Sequence, residues 1–443
     1  MSPSFPRGVV LALCAVLGAC GVNLPTPPPS SNPSPPPPSN PLVLKTGFDT
    51  SVPTLGQPRP ALNQPFVDPN YGTTLARVTD PSQITDRDPP QWVRHEYSRK
   101  QAFNADSSRV LMISSNGWIR LYKVTGNTLA FVKTLNLGEP QEPIWHPTDP
   151  NLIYFLGPYG DGMTLSTYNI LTDQKQVVRN LADRLRAIFG SQAARAWTKQ
   201  EGRPSNDGKI WCLQVEDQNY AMLGLVAYDF SQDKILGFLL TKDRPDHVST
   251  SPKGNYCVPS WGSPLGTRSY TLDFKSYQQL HKTTEHSDLA LSAAGREVYV
   301  FADYDSGDVA MVDLATGSRT NLFRLYGPNS SATALHISGT ASQKPGYALI
   351  SFYACTEQYG ATPCSYQTQW FNNKAIAVSL KPNPTLYNLA HLHTVYAGYF
   401  SEPQATVNPD FTKILFSSTW ESSQENNVRD YLLELPSTAL PNF

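Results

Sequence analysis

The sequence predicts an all-β fold, a seven-bladed β-propeller built from four-stranded antiparallel blades. One stretch, Glu285–Leu325, contains four short strands of alternating apolar residues separated by tight turns, which is the plan of one blade. The plan recurs six more times along the chain of 443 residues, at the spacing of roughly forty to fifty residues that is typical of propellers. Because a lone sheet leaves two faces and two edges uncovered, we expect the repeats to pack in a ring.

The other six copies show the same order of strand, turn and strand. They span Gln101–Leu135, Glu142–Val178, Gln200–Leu240, Asp246–Leu280, His336–Leu389 and Glu402–Leu435. The last copy has only three strands before Pro436, whereas a strand signal without a blade of its own lies upstream at Thr74–Val78. We therefore expect this upstream strand to become the outer strand of the last blade and to close the ring.

One segment interrupts the repeat. Leu181–Trp197 carries apolar residues at helical spacing, including Leu185 and Phe189, and has no alternating strand pattern. The spacing predicts a helical insertion over residues 181–197, between the second and third blades.

The N-terminal residues read as an export signal and a tether. Residues 1–19 have the basic residue, short apolar run and small residues before Cys20 of a bacterial lipoprotein signal, which predicts that Cys20 carries lipid; an ordinary cleaved signal is the alternative. Residues 20–44 form a linker rich in proline and serine, which is expected to be an extended stalk rather than a proline-rich docking ligand. The propeller domain is then residues 45–443, anchored to a membrane of the bacterial cell envelope.

Composition excludes some classes of function. The chain has 35 basic and 36 acidic residues, so no excess of positive charge favours nucleic-acid binding. The glycine-rich phosphate-binding motifs of nucleotide sites do not occur. We expect a monomer whose partners are the membrane and a protein or glycan ligand.

Four cysteines remain after the signal and Cys20. Cys355 and Cys364 bracket one loop and are predicted to form a local disulfide. Cys212 and Cys257 lie in near-equivalent second strands of neighbouring blades, where either a bridge or two buried free thiols are expected.

A series of polar residues precedes the first turn of each blade, where the innermost strands begin. In a propeller these positions converge on one mouth of the central channel. The series consists of Arg94, His95, Glu96, Glu142, Gln200, Glu201, Arg203, Asp246, His247, Glu285, His286, Asp288, His336, Glu402 and Gln404. This convergence is the strongest functional signal in the chain.

The series supports three interpretations. His247, His286 and His336, with Glu402 nearby, have the donor types of a divalent-metal site. Alternatively, a neutral histidine with an arginine is suited to remove a proton α to a carboxylate, with His247 as the base and Arg94 or Arg203 as the charge-neutralising group. The third interpretation is structural, in which these side chains fill the channel and bond to neighbouring blades.

The turn units NPDFTKILFSSTW, SAAGREVYVF and SPKGNYCVPSW, with the closing segment GTTLARVTD, resemble the TolB-type, WD40-like propeller repeats of exported bacterial proteins. The order DHVSTS, EHSDLALS and EPQATVNPD is similar to the oligogalacturonate lyase family. That resemblance implies a seven-bladed propeller with manganese at its channel mouth that performs β-elimination on uronates.

Carried over residue by residue, the resemblance places His247 at the family's catalytic base and His286 at one of its metal ligands. In the last blade the family offers a pair of histidines, where this chain has Glu402 and Gln404. The metal set implied here is therefore His286, His336, Glu402 and Gln404, for one divalent ion such as manganese, calcium or zinc.

Three functions follow as hypotheses. The first is a lipid-anchored propeller that binds a protein or glycan partner at the channel mouth. The second is a metal-assisted polysaccharide lyase acting on uronates, and the third is a scaffold in envelope assembly. A lyase needs a base, a charge-neutralising group and access to the channel, whereas a scaffold needs none of the polar series.

Overall fold

A computed structural model describes residues 42–138, 141–325, 333–355 and 373–443. It confirms the predicted fold, since the strands form seven antiparallel sheets, six with four strands and one with five. The residues from Leu42 to Phe443 form one compact unit. The predicted signal, Cys20 and the predicted stalk up to residue 41 lie outside the described residues.

Two short strands precede the blades: β1 (Phe66–Val67) and β2 (Thr74–Arg77). The first blade consists of β3 (Val93–Arg94), β4 (Arg109–Ser114), β5 (Trp118–Thr125) and β6 (Thr128–Gly138). The second consists of β7 (Ile144–Trp145), β8 (Leu152–Leu156), β9 (Thr164–Asn169) and β10 (Lys175–Asn180), and the helix α1 (Ala182–Phe189) follows it. The third consists of β11 (Ala193–Trp197), β12 (Ile210–Asp217), β13 (Met222–Asp229) and β14 (Lys234–Leu240).

The fourth blade consists of β15 (His247–Thr250), β16 (Tyr256–Ser260), β17 (Thr267–Thr271) and β18 (Tyr277–His281). The fifth consists of β19 (Ser287–Leu291), β20 (Glu297–Asp303), β21 (Asp308–Asp313) and β22 (Arg319–Arg324). The sixth consists of β23 (Thr333–Ser338), β24 (Tyr347–Cys355), β25 (Lys374–Ser379) and β26 (Leu386–His391). The seventh contributes β27 (Thr406–Val407), β28 (Lys413–Ser418) and β29 (Arg429–Glu434).

The ring closes as the sequence predicts. Strand β2 pairs with β29 in antiparallel register, from Thr74 opposite Glu434 to Arg77 opposite Tyr431. Strand β1 then pairs with β2 and adds a fifth strand to this sheet. Strands from the two ends of the domain thus share one blade, which covers the edge that the three C-terminal strands would leave exposed.

The helical insertion is shorter than predicted. Helix α1 ends at Phe189, and Gly190 follows with a φ of 95°, a conformation that favours glycine and stops the helix. The prediction that the insertion continues to Trp197 is wrong, because Ala193–Trp197 is β11, the innermost strand of the third blade. Alanine and arginine favour a helix locally, but burial of Ala193, Ala196 and Trp197 between blades outweighs that preference.

The core lies between neighbouring blades. Apolar residues of the fifth blade, such as Val298 and Val300, pack in one cluster with Ile350 and Val378 of the sixth. Leu44 is 6% exposed and packs in the cluster between the sixth and seventh blades, so the domain begins a few residues before the predicted boundary at residue 45.

A disulfide joins Cys212 of β12 to Cys257 of β16, with their Cα atoms 5.6 Å apart. It links the third blade to the fourth, which decides between the two expectations for this pair. The side chains of the other predicted pair, Cys355 and Cys364, lie outside the described residues. None of the helices in the described ranges is long and apolar enough to cross a membrane.

Candidate functional site

A segment of the first blade leaves its strand and reaches across the channel. Strand β3 ends at Arg94, and the chain pairs with β4 again only at Phe103. Between them, Arg99 extends from the first blade to Ser287 of the fifth, where its Nη2 donates to Oγ at 2.6 Å. Side chains of this segment, among them Tyr97 and Arg99, therefore contribute to the channel lining.

The channel mouth contains a cavity of 360 Å³. Its lining mixes acidic, imidazole and phenol side chains from six blades with a single arginine. The lining residues are Tyr97, Arg99, Glu201, Asp246, Thr284, Glu285, His286, His336, Tyr353, Tyr399 and Glu402.

Arg99 lines this cavity and is in direct contact with His247, which is not among the described lining residues. Nη1 of Arg99 lies 3.0 Å from Nδ1 of His247 and also contacts Nε2, while Glu201 Oε2 lies 3.3 Å from the same Nη1. Burial and the charge of Arg99 lower the pKa of His247 below its ordinary value. His247 is therefore neutral at neutral pH, beside a guanidinium that stays charged.

His286 and His336 form another wall of the cavity, with ring centroids 4.5 Å apart. Burial and the neighbouring His336 lower the pKa of His286 to about 4, and burial also holds the pKa of His336 well below its usual range. Nε2 of His336 lies 2.8 Å from Oε2 of Glu402. Nδ1 of His286 is buried and has no hydrogen-bond partner among the residues that the structure describes.

Arg94 and Gln404 support this wall from behind and are not among the described residues that line the cavity. Arg94 is fully buried, and it donates to Oε1 of Gln404 at 2.6 Å and to the carbonyl oxygen of Phe400 at 2.8 Å. Nε2 of Gln404 then lies 3.3 Å from Glu402. Both residues hold Glu402 in place.

Arg203 also lies away from this lining. It donates to both carboxylate oxygens of Asp288, at 2.7 and 2.9 Å, and to the carbonyl of Leu289. The arginine that faces the cavity is Arg99, which the sequence analysis did not single out. Tyr97, Tyr353 and Tyr399 were also missed. The one available signal was the unbroken polar run RHEYSRK, too long for a buried inner strand.

An acidic cluster lies beside Arg99. In the described part of the chain, one group of at least three metal-ligating side chains has its ligand atoms within 4.8 Å of one another: Glu201, Asp246 and His247. Lys199 Nζ lies 3.3 Å from Asp246, and a hydrogen bond with His247 lowers the pKa of Asp246 despite its burial. His286, His336 and Glu402 do not come within that distance as a set.

Glu142 is a structural member of the predicted series. Its buried carboxylate accepts hydrogen bonds from the backbone N–H and the hydroxyl of Thr198, at 3.1 and 2.9 Å, and from the N–H of Gln200. These bonds hold Lys199 and Gln200 at φ values of 63° and 70°, a left-handed conformation that is strained for side chains with a Cβ. This strained turn positions the side chain of Glu201 in the lining of the cavity.

His95 has a structural partner as well. Its backbone N–H and Nδ1 both lie 2.8 Å from Oδ2 of the buried Asp430. This contact ties the first blade to the seventh.

The carboxyl group of Glu285 lines the cavity and titrates near neutral pH. Burial, together with the charges of Asp303 and Asp305, raises the pKa of Glu285 to about 7. A carboxyl group with that pKa both donates and accepts a proton near neutral pH.

The fold and the site define a seven-bladed β-propeller with a polar, histidine-containing cavity at its channel mouth. The structure is similar to the crystal structure of oligogalacturonate lyase from Vibrio parahaemolyticus, with a TM-score of 0.56 and 11% identity over 85% of this chain and 97% of that one. It is also similar to an oligogalacturonate lyase in complex with manganese, with a TM-score of 0.57 and 14% identity over 90% of this chain and 99% of that one. No family model and no curated protein sequence matches the chain. At these identities the likeness establishes the fold.

Proposed function

We propose that the protein binds a uronic-acid glycan at the channel mouth and cleaves it by β-elimination. The observation that carries the proposal is the contact between neutral His247 and charged Arg99 beside a cavity of 360 Å³. Elimination from a uronate needs a neutral base for the proton α to the carboxylate and a positive group for the charge that develops. The similarity to two oligogalacturonate lyase structures supports the same reaction class.

The proposed elimination accounts for every proton, electron pair and leaving group. His247 takes the α proton, the electrons of that C–H bond form a carbon–carbon double bond, and the bond from the β carbon to the glycosidic oxygen breaks. Glu285, with its pKa of about 7, gives a proton to the leaving oxygen. The tyrosines of the lining offer faces on which sugar rings stack.

The donor types of this cavity suit a divalent cation, although the ligand atoms of His286, His336 and Glu402 do not lie within 4.8 Å of one another as a set. His286 supplies a buried Nδ1 without a partner among the described residues, Glu402 supplies an oxygen near it on the same wall, and this pairing of nitrogen and oxygen donors suits manganese. The alternative metal site is the acidic cluster of Glu201, Asp246 and His247. The charge of this cluster is already balanced by Arg99 and Lys199. When bound, the cation would neutralise the uronate carboxylate and make the α proton more acidic.

A second candidate is glycan binding without turnover, which was the first hypothesis from the sequence. It is favoured by the position of Arg99, whose Nη1 contacts both ring nitrogens of His247. A guanidinium donates hydrogen bonds only, so it occupies the lone pair that a base would use. Turnover then requires a bound uronate to draw Arg99 away from His247.

The export prediction is retained as part of this proposal. We infer that the propeller is attached to a bacterial envelope membrane through lipid on Cys20 and the stalk of residues 20–44. Replacing Cys20 by alanine is expected to release the protein from the membrane fraction, and equal retention of the variant would contradict lipid anchoring.

The activity is tested with the purified protein on polygalacturonate and other uronic-acid glycans, by following the ultraviolet absorbance of the unsaturated product. Wild type is compared with His247→Gln and with His146→Gln, a control on the turn after β7. The lyase proposal expects turnover in wild type and the control, and loss of it in His247→Gln with binding retained. Binding by all three proteins without product supports the second candidate, and absence of both binding and product rejects the two.

Measuring the metal content of variants by elemental mass spectrometry distinguishes the two candidate metal sites. About one ion per chain that is lost in His286→Ala but kept in Asp246→Asn assigns it to the His286 wall. The reverse pattern assigns it to the acidic cluster. Wild type without a metal before and after chelation rejects the metal and leaves Arg99 as the neutralising group.

A further inference from the structure

The channel has a second cavity, formed by the turns that follow the innermost strands. The first cavity takes its lining largely from segments that precede those strands, such as Asp246 before β15 and Glu285 before β19. The second has a volume of 110 Å³ and takes its lining from turns, such as Ser205, Asn206 and Gly208 after β11 and Ser342 and Gln343 after β23. It lies at the other end of the inner strands.

The charges around the second cavity have one sign. Three cationic residues line it, Arg99, Lys100 and Arg203, and the described lining contains no aspartate or glutamate. Arg99 is balanced by Glu201 at 3.3 Å, and Arg203 by Asp288 at 2.7 Å. Lys100 is the cation of this lining for which the described residues provide no such partner.

Lys100 is a donor without an acceptor. The residue is 6% exposed, and its Nζ is buried without a hydrogen-bond partner within the described residues. A lysine ammonium has three donors, and burying it unpaired is strongly unfavourable. Such groups are few in native structures, and a bound ion is one of the explanations for those that persist.

Other polar side chains of this cavity are already satisfied. Gln101 donates to the carbonyl of Val407 at 2.9 Å and accepts from the N–H of Phe103 at 3.0 Å. Asn104 donates to the carbonyl of Pro150 at 3.0 Å and accepts from the N–H of Arg109 at 2.9 Å. Among the buried side-chain polar atoms of the described lining, Nζ of Lys100 is the one without a hydrogen-bond partner, and it favours an acceptor of negative charge.

We propose that this second cavity is a binding site for a small oxyanion, a carboxylate or a phosphate, that pairs with Nζ of Lys100. The walls beside it include Phe103, Trp145 and Tyr154, which provide apolar faces for the body of an organic acid. Arg99 lines both cavities, but Lys100 lines only the second, so an anion bound at Lys100 occupies a different site from a glycan at the channel mouth. It stands or falls independently of the lyase proposal.

The test measures the melting temperature of the full protein against inorganic phosphate and against galacturonate, with sodium chloride at equal ionic strength as the reference. A ligand that binds only the folded state raises the melting temperature in a saturable way. Either probe is expected to do so for wild type, and the stronger of the two identifies the anion as phosphate or carboxylate. No rise with either probe beyond the chloride reference overturns the proposal.

Variants assign the effect to Lys100. Lys100→Met is expected to weaken binding of the effective probe by at least about tenfold, because a hydrogen bond to a charged group is lost. Lys100→Arg keeps the charge and should retain most of the binding, and Lys123→Met on the exposed face of β5 should behave as wild type. Equal binding by Lys100→Met and wild type contradicts the assignment.

Stability without anion supplies a further check. Because Lys100→Met removes an unpaired buried charge, its melting temperature in chloride alone should equal or exceed that of wild type. A clearly lower value would mean that the ammonium has a partner within the protein, and the proposal would fall.

Discussion

Nη1 of Arg99 lies 3.0 Å from Nδ1 of His247, although 148 residues separate them along the chain. The arginine comes from the first blade and the histidine from the start of the fourth. Burial of both residues strengthens the effect of the guanidinium on the imidazole. Burial of His247 and the charge of a residue from a different blade therefore both favour its neutral form.

Replacing Arg99 with methionine should raise the pKa of His247, because a positive neighbour that disfavours the imidazolium is removed. A base that acts in its neutral form then needs a higher pH, so the acid limb of the rate profile should move upward. Loss of the charge-neutralising group should also lower kcat by roughly 100-fold.

The measurements are the pH profile of uronate cleavage and the NMR titration of the His247 ring, which does not depend on activity. Arg109→Met on β4 is the control. An unchanged titration of His247 in Arg99→Met would show that the arginine does not set its protonation.

Glu285 should make the protein less stable as the pH rises. Its pKa is raised to about 7 in the folded protein, above the ordinary carboxyl value, so the folded state binds more protons than the unfolded state between these two pH values. The stabilising contribution is complete below the unfolded pKa and is lost as the pH rises through about 7.

Glu285→Gln should therefore be more stable than wild type at alkaline pH, by about 1–2 kcal/mol after allowance for partial exposure, and similar to it in mild acid. Urea unfolding across this pH range measures the difference. Asp161→Asn on an exposed turn is the control, and a constant difference between Glu285→Gln and wild type at every pH would contradict the raised pKa.

The sequence predicted the ring and its closure because both depend on local patterns. Alternating apolar residues and glycine turns define each blade, and the strand at Thr74–Arg77 has no other sheet to join. The error at Ala193–Trp197 arose where helix-forming residues occupy a buried inner strand. Packing between the second and third blades, which the local sequence does not reveal, decides that case.

The site was predicted less completely for a related reason. Position ahead of an inner strand identified His286, His336 and Glu402, which line the channel-mouth cavity. It also selected His247, Arg94 and Arg203, which are not in its described lining. Arg99 acts at the cavity because residues 95–101 leave the strand pairing. Strand periodicity does not report where a side chain points in such a segment.

The disulfide between Cys212 and Cys257 should stabilise the domain substantially. The cysteines are 45 residues apart in sequence, and a loop of that length corresponds to about 4 kcal/mol in the chain-entropy model. Reduction should lower the urea midpoint of wild type. The double variant Cys212→Ala/Cys257→Ala, measured with and without reductant, isolates any contribution from Cys355 and Cys364. Equal sensitivity of both proteins to reductant would show that the bond contributes nothing.

Glu142 should control the site through the backbone, since its carboxylate holds the turn at Thr198–Gln200 by three hydrogen bonds. Glu142→Gln replaces one acceptor oxygen with a donor that faces N–H groups, so unfolding should become easier by about 1–3 kcal/mol. The left-handed Lys199 and Gln200 are then free to relax, and Glu201 should move away from Arg99. Faster tryptic cleavage after Lys199 and a raised KM for uronate, with Glu434→Gln unchanged in both, are the expected results. Cleavage and KM equal to those of wild type would show that the turn keeps its conformation without the carboxylate.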